Sequence, residues 1–332
     1  MLELDTHWVW DSWPIDDGPD HHLYYLKAPR SLGDPDLRHL HPTVGHAVST
    51  DYRTWQELPD ALTPGPPGAW DDLAVWTGSV VRGIDRWHMF YTGGNRREGA
   101  RVQRIGRADS DDLRTWRRHG TQPVSTADRR WYERLDDSDW PEEAWRDPWV
   151  YADPAGDGWH MLITARARTG PIRARGVIGH ARSTDLTHWK VLPALTTPAG
   201  FAHLEVPQVV DVGNRPVLIF SCHERDLDSA RAAHSPPRTA TWIAPAGGLG
   251  GPFDLQSATA FSDATLYAAR LVRTGPGHWA LLGFRSQDNG RFGGFIDDPV
   301  PVQIGALPAS PLSVHGSGRV TPSHRSGRSG RL

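Results

Sequence analysis

Little in this chain would cross-link it or place it in a bilayer. Cys222 is the single cysteine among 332 residues, which excludes an intramolecular disulfide. No apolar run is long enough to span a membrane. Met1-Leu2-Glu3-Leu4-Asp5 lacks a basic region leading into an apolar core, so the sequence reads as a cytoplasmic protein without a signal peptide. Lysine is nearly missing: Lys27 and Lys190 are the only two, and every other basic side chain is arginine. That spread reads as a compositional bias of the source rather than a binding patch. A net charge of −3 argues against nucleic acid and anionic membrane as partners. Long helical periodicity is missing too. Only Leu227 to Ala233 suggests a short helix, which Pro237 ends at the latest. No metal-ligand spacing stands out. His21-His22, and His39 with His41, carry suitable donors but read as histidines of surface loops.

What is present is a folded core and a repeat. Hydrophobic residues make up 38% of the chain, and sixteen tryptophans exceed ordinary usage. The skeleton G-x-A-x-S-x-D-[YL]-x-x-W runs from Gly45 to Trp55, from Gly106 to Trp116 and from Gly179 to Trp189, with starts 61 and 73 residues apart. Self-similarity of this size marks a repeat architecture, and four-stranded propeller blades fit the period. Runs such as Trp87-His88-Met89-Phe90-Tyr91-Thr92 and Val217-Leu218-Ile219-Phe220 are short, β-branched or aromatic, and separated by Gly, Pro, Asp and Asn. They read as strands joined by turns. If each repeat is a late strand and the next strand opens a new blade, inner strands begin near Asp11, Trp76, Asp147, Glu205 and Asp263. Those steps of 65, 71, 58 and 58 residues predict an all-β, five-bladed propeller over residues 1–309. The Ser-, Gly- and Arg-rich stretch 310–332 reads as a disordered tail. Trp55, Trp116 and Trp189 are expected to pack between blades.

Three carboxylates then share a placement. Asp11 in Trp10-Asp11-Ser12-Trp13-Pro14, Asp147 in Arg146-Asp147-Pro148 and Glu205 in Glu205-Val206-Pro207 each open an inner strand and are flanked by Trp, Pro or apolar residues. An ionised group is costly there without partners or a function. A propeller would bring the three to one end of its channel. For Arg146-Asp147 the plain alternative is a structural ion pair at a strand start.

At these motifs the chain resembles the β-fructosidase clan, glycoside hydrolase families 32 and 68. Val9 to Pro14 looks like the nucleophile motif of family 68, and Val75-Trp76-Thr77-Gly78-Ser79 is similar to its Trp-Ser-Gly-Ser segment. Arg146-Asp147-Pro148 matches the clan's Arg-Asp-Pro box and Glu205-Val206-Pro207 its acid/base box, while Gly45 to Leu62 looks more like family 32. The chain departs from the clan in lacking Asn-Asp-Pro-Asn. Val206 follows the acid/base where family 68 often has Arg, and His223 stands where it often has a substrate-binding Arg. The sequence also ends before the C-terminal β-sandwich usual in family 32 would fit.

The resemblance implies a retaining hydrolase or fructosyltransferase acting on a small, sucrose-like β-fructofuranoside, with no metal or organic cofactor. Asp11 would be the nucleophile, Glu205 the acid/base, and Asp147 the group that hydrogen-bonds the fructosyl hydroxyls. Indole or backbone donors near Trp10 and Trp13 are expected to keep Asp11 ionised. Apolar Leu204, Val206 and Pro207 are expected to raise the pKa of Glu205. Trp10, Trp76, Thr77 and Arg146 are the candidate sugar contacts, with Trp76 as readily core. His223 and Tyr267 are added with a structural role as the default. The acidic run from Glu133 to Glu143 could rim the pocket, and by default it reads as solvated charge. Two alternatives stand beside this reading: an inverting arabinanase- or xylosidase-like propeller, and a non-catalytic sugar-binding propeller.

Overall fold

The computed structural model describes residues 1–234 and 239–308. The predicted tail, 310–332, lies outside them, as do Pro236 and Pro237. Blade one is β1 (His7–Asp17), β2 (Asp20–Pro29), β3 (Thr43–Ser49) and β4 (Gln56–Leu62). Blade two is β5 (Ala74–Arg82), β6 (Trp87–Gly94), β7 (Arg104–Ser110) and β8 (Arg117–Arg118). Blade three is β9 (Trp145–Ala152), β10 (Trp159–Arg166), β11 (Gly176–Ser183) and β12 (Lys190–Leu192). Blade four is β13 (Glu205–Asp211), β14 (Pro216–Cys222), β15 (Ala240–Pro245) and β16 (Thr259–Ala260). Blade five has, among the described residues, three strands, β17 (Leu266–Gly275), β18 (His278–Arg285) and β19 (Val300–Val302). Within each sheet the strands follow in chain order and pair antiparallel. A short helix, α1 (Ser229–His234), falls where the sequence suggests one. No helix among the described residues is long and apolar enough to cross a membrane.

The inner strands form a ring: β1 neighbours β5 and β17, β9 lies between β5 and β13, and β13 meets β17. Four of the five predicted inner-strand positions fall within these strands, and Asp263 stands just ahead of β17. One detail of the sequence reading changes. Each repeat forms the third strand of its blade, and an outer fourth strand, β4, β8 or β12, follows before the next blade begins. β8 and β12 are only two and three residues long, with little apolar pattern to announce them. The chain start closes the ring against blade five. The Leu2 N–H donates to Ile296 O (2.8 Å), the Ile296 N–H to Leu2 O (3.0 Å), and the Val9 N–H to Gly294 O (2.9 Å).

The repeat is explained by the turn after the third strand. Asp51 Oδ1 accepts from the Arg53 and Thr54 N–H groups at 2.8 and 2.7 Å and from the Ser49 hydroxyl at 2.9 Å. Asp112 does the same with Arg114, Thr115 and Ser110, and Asp185 with Thr187, His188 and Ser183. Tyr52, Leu113 and Leu186 adopt positive φ of 58°, 59° and 60°, a conformation that the side-chain bonds around them hold in place. Two of these turns dock on the preceding blade. Tyr24 OH donates to Leu113 O (2.6 Å), and Arg107 Nη1 to Leu186 O (2.9 Å). Trp116 lies edge-on to Tyr24, and Trp189 edge-on to Phe90, so both pack between blades. The ring contact of Trp55 is with Tyr52 of its own turn.

Candidate active site

All five inner strands break register at the same end. In β1 the break leaves Asp11 unpaired between Trp10 and Ser12; in β5 it leaves Thr77 unpaired between Trp76 and Gly78. In β9, β13 and β17 the pairs Asp147-Pro148, Val206-Pro207 and Ala268-Ala269 each bulge outward against a single partner residue. A bulge re-aims a side chain and ends pairing. Here it turns side chains of the innermost strands into the channel mouth. Asp147, Val206 and Ala268 sit at φ of 56°, 52° and 50°. Such backbone costs of order 1–3 kcal/mol per residue and persists only where the surroundings hold it.

Hydroxyls on the second strands supply that hold. The Asp147 N–H donates to Thr92 Oγ1 (2.8 Å), and the Ala268 N–H donates to Ser221 Oγ (2.9 Å). Thr164 Oγ1 lies 2.9 Å from both Leu204 O and Asp147 Oδ2, and its one proton can go to either. Thr92, Thr164 and Ser221 occupy one register position, facing Trp76, Arg146 and Glu205. Each ties its blade to the inner strand of the next. The sequence reading passed over them, although a buried hydroxyl recurring at one position of three second strands is a signal that alignment of the blades would expose.

A cavity of about 720 Å³ opens at this end. Asp11, Asp147 and Glu205 line it, as do Trp10, Trp76, Thr77, Arg146, His223 and Tyr267. The structure thus brings all nine sequence-selected residues into one wall. Trp76 is half-buried, packs on the core and donates its indole N–H to His39 O (3.0 Å). His223 lies against the Tyr267 ring.

The electrostatics reverse one expectation. Neither neighbouring indole holds Asp11: the buried Trp13 Nε1 has no partner, and the carboxylate accepts from Thr77 Oγ1 at 2.5 Å. Burial, and then the charge of Asp147, push the pKa of Asp11 up to about 7 against the single lowering bond from Thr77. Burial likewise raises Asp147, opposed by Arg146, whose Nε lies 3.5 Å from Asp147 Oδ2. Glu205 was expected to be raised by its apolar neighbours. Burial does push it up, but Arg146, His203, His223 and the Tyr267 hydroxyl outweigh that and take it down to about 2. Arg146 Nη2 stands 2.8 Å from Glu205 Oε1, and Tyr267 OH donates to Oε2. Burial and Asp147 thus work against the charge on Asp11, while Arg146 and its neighbours favour the charge on Glu205. Beneath them Arg270 is fully buried, with its guanidinium donating to Pro207 O and lying over the Trp149 ring.

Two loops of the wall were misread or missed. The Glu133–Glu143 run is solvated charge in its middle, at the exposed Asp136, Asp137 and Asp139, but not at its two ends. Glu133 is buried and pairs with Arg166 and Arg175, while Glu143 is buried with Arg134; Trp140 and Glu142 reach the cavity. The other loop joins β2 to β3. Its 3₁₀ turn Pro35–Leu40 starts with Pro35 and is capped by Asp34, whose Oδ1 accepts from the Asp36 N–H (2.9 Å). It delivers Arg38 over the Phe292 ring (4.1 Å) and His39 edge-on to Trp10. His39 is thus an exposed loop histidine, as the sequence suggests, that also lines the cavity. His21 and His22 leave that class: both lie on β2, and His22 is buried with its Nδ1 2.9 Å from His46 Nε2. Among the described residues no group of three metal-ligating side chains forms.

A family model, the glycosyl hydrolases family 32 N-terminal domain, matches residues 14–242. The chain is 38% identical to beta-fructofuranosidase 1 of Zea mays over 108 residues, 31% of this chain and 15% of the maize protein. It is 26% identical to an extracellular sucrase of Zymomonas mobilis over 267 residues, 65% of this chain and 59% of the sucrase. The chain thus spans well under two thirds of these relatives. Among solved structures, the inulosucrase from Halalkalicoccus jeotgali bound to kestose superposes with a TM-score of 0.72 at 20% identity, covering 89% of this chain and 86% of that one. Fructan 1-exohydrolase IIa from Cichorium intybus gives 0.66 at 17% identity, covering 90% and 57%. These likenesses establish the five-bladed fold.

Proposed function

Because the chain belongs to glycosyl hydrolase family 32, we propose that it is a retaining β-fructofuranosidase or fructosyltransferase acting on a small, sucrose-like fructoside. The observation that carries this is the convergence of Asp11, Asp147 and Glu205, from three blades, in one cavity at the channel mouth. The cavity volume suits a small sugar. Asp11 Oδ attacks the anomeric carbon while the glycosidic C–O bond breaks, and Glu205 gives its proton to the departing oxygen. The resulting ester is then opened by water or by a sugar hydroxyl. Glu205 takes the proton from that acceptor, and Asp11 leaves as a carboxylate. Asp147, on its bulge, accepts from fructosyl hydroxyls whose bonds strengthen as positive charge grows on the ring.

The reaction needs the proton on Glu205 and the charge on Asp11, the reverse of what the free site favours. Asp11, Asp147 and Glu205 are coupled, so a proton held among them belongs to the group rather than to one acid. The productive form has the same proton count with the proton moved to Glu205. Positive charge developing at the anomeric carbon favours the ionised Asp11 and so favours that move. The test is the first-formed product, read by NMR with sucrose as substrate. Release of β-fructofuranose, or transfer with retained configuration, is expected. Inversion, or no cleavage across a panel of fructosides, overturns the reading.

A further inference from the structure

Arg146 serves more carboxylates than the chemistry just described requires. Its Nη2 reaches Glu205 Oε1 at 2.8 Å and its Nε lies 3.5 Å from Asp147 Oδ2, while Nη1 is turned away to Glu142 Oε1 (2.8 Å) and Gln103 Oε1 (3.0 Å). Glu142 is itself fixed. Its Oε2 accepts from Gln103 Nε2 at 2.8 Å, and His203 Nε2 stands 3.2 Å from its Oε1. Trp140 packs edge-on against His203 and completes the corner. Glu142 lines the same cavity as Glu205 and comes from the loop before β9, outside the three acids the reaction uses.

Around Glu205 the charges are lopsided. Arg146, His203 and His223 favour its ionised form, and Tyr267 donates to it; Asp147 and Asp11 oppose. A general acid so placed holds its proton poorly unless something weakens the arginine beside it. We propose that Glu142 is a positioning residue that does this: held by Gln103 and His203, it takes Nη1 of Arg146 and part of its charge, leaving Glu205 able to carry the proton that the leaving oxygen needs. The inference rests on the fructosidase reading. It goes beyond that reading in adding a fourth carboxylate that acts through Arg146 without touching the reacting atoms.

The experiment compares sucrose with β-fructosyl fluoride, whose leaving group needs little protonation. Glu142→Gln is nearly isosteric, and thermal unfolding checks that it folds. With Glu142 neutral, the charge of Arg146 falls on Glu205 and Asp147. kcat/KM for sucrose is then expected to drop about 10- to 100-fold, within the span of general-acid assistance, while the fluoride changes less than about threefold. Glu142→Asp, which keeps the charge on a shorter stem, should recover part of the sucrose rate. It also carries the test should the glutamine variant not fold, since the same selective loss, smaller, is then expected. Equal losses on both substrates, or none on sucrose, overturn the inference and leave the fructosidase reading standing. A wild-type protein that cleaves neither substrate overturns the fructosidase reading and takes this one with it.

Discussion

The propeller uses acidic side chains in two regions with opposite outcomes. At the blade edges Asp51, Asp112 and Asp185 each collect two backbone N–H groups and a serine hydroxyl at the protein surface. The backbone donors hold Asp51 and Asp112 down at about 2. At the channel mouth Asp11 is half-buried with one hydroxyl donor and two acidic neighbours, and it rises to about 7. The chemistry of the group is the same; the supply of donors differs. Where the backbone satisfies the carboxylate, it is a fold device and can recur in blade after blade. Where burial leaves it short of partners, folding carries a cost, and such groups cluster at functional sites.

The sharpest way to break this comparison is Asp11→Asn. The neutral amide cannot form the fructosyl ester, so turnover of sucrose and of β-fructosyl fluoride should fall by about 10⁴-fold or more, while Asp112→Asn leaves both near wild type. Similar losses in the two variants would erase the distinction. Glu205→Gln comes next. It should cost about 10²- to 10⁴-fold on sucrose and far less on the fluoride, because only the former needs its proton.

The pH dependence follows from the shared proton. As pH rises through about 7, the coupled acids lose that proton. kcat/KM for sucrose should therefore fall on the alkaline side of about 7, toward tenfold per pH unit. A profile flat to pH 9 would mean that the proton is not held as the structure has it. Stability should move with the same group. Asp11 binds its proton more tightly folded than unfolded, so its contribution is fully present below the ordinary aspartate pKa and is lost as pH rises to about 7. Asp11→Asn should then be more stable than wild type at pH 8 by on the order of 2–4 kcal/mol, and nearly equal to it at pH 4. Urea unfolding at the two values checks both the sign and the window.

What the sequence disclosed divides along the same line. The repeat was legible because its turn is closed by residues within three positions of Asp51, Asp112 or Asp185, and local chemistry survives in a string of letters. Asp11, Asp147 and Glu205 were legible because the blade period places them, and the resemblance supplied their proposed roles. The proton distribution was not. Leu204, Val206 and Pro207 predicted a raised Glu205, but the largest lowering group, Arg146, lies 59 residues away in the chain, and the nearby His203 was not weighed. The buried end of the Glu133–Glu143 run was missed for the same reason, since Arg166 and Arg175, the partners of Glu133, come from another part of blade three. Arg38 gave no signal, and His39 drew notice only as a loop histidine, because a 3₁₀ loop reaching over a channel has no apolar period.

The smallest expected effect tests the blade-edge half of the comparison. Asp112→Ala removes the acceptor for the Arg114 and Thr115 N–H groups and for the Ser110 hydroxyl. Leu113 keeps its positive φ with less to hold it, and its carbonyl is the acceptor for Tyr24 of the preceding blade. Water can reach the freed N–H groups, so the loss should resemble that of a helix cap, about 1 kcal/mol. Asp112→Asn keeps the side-chain carbonyl and should lose less than half of that. Neither variant should change kcat/KM or its pH limbs, because the turn lies at the outer edge of its blade. Denaturant unfolding at pH 7 reads the stability change, and sucrose kinetics on the same samples read the activity. A several-fold drop in kcat/KM at unchanged stability would show that the blade-edge turns communicate with the channel mouth, and would end the division between the two sets of acids.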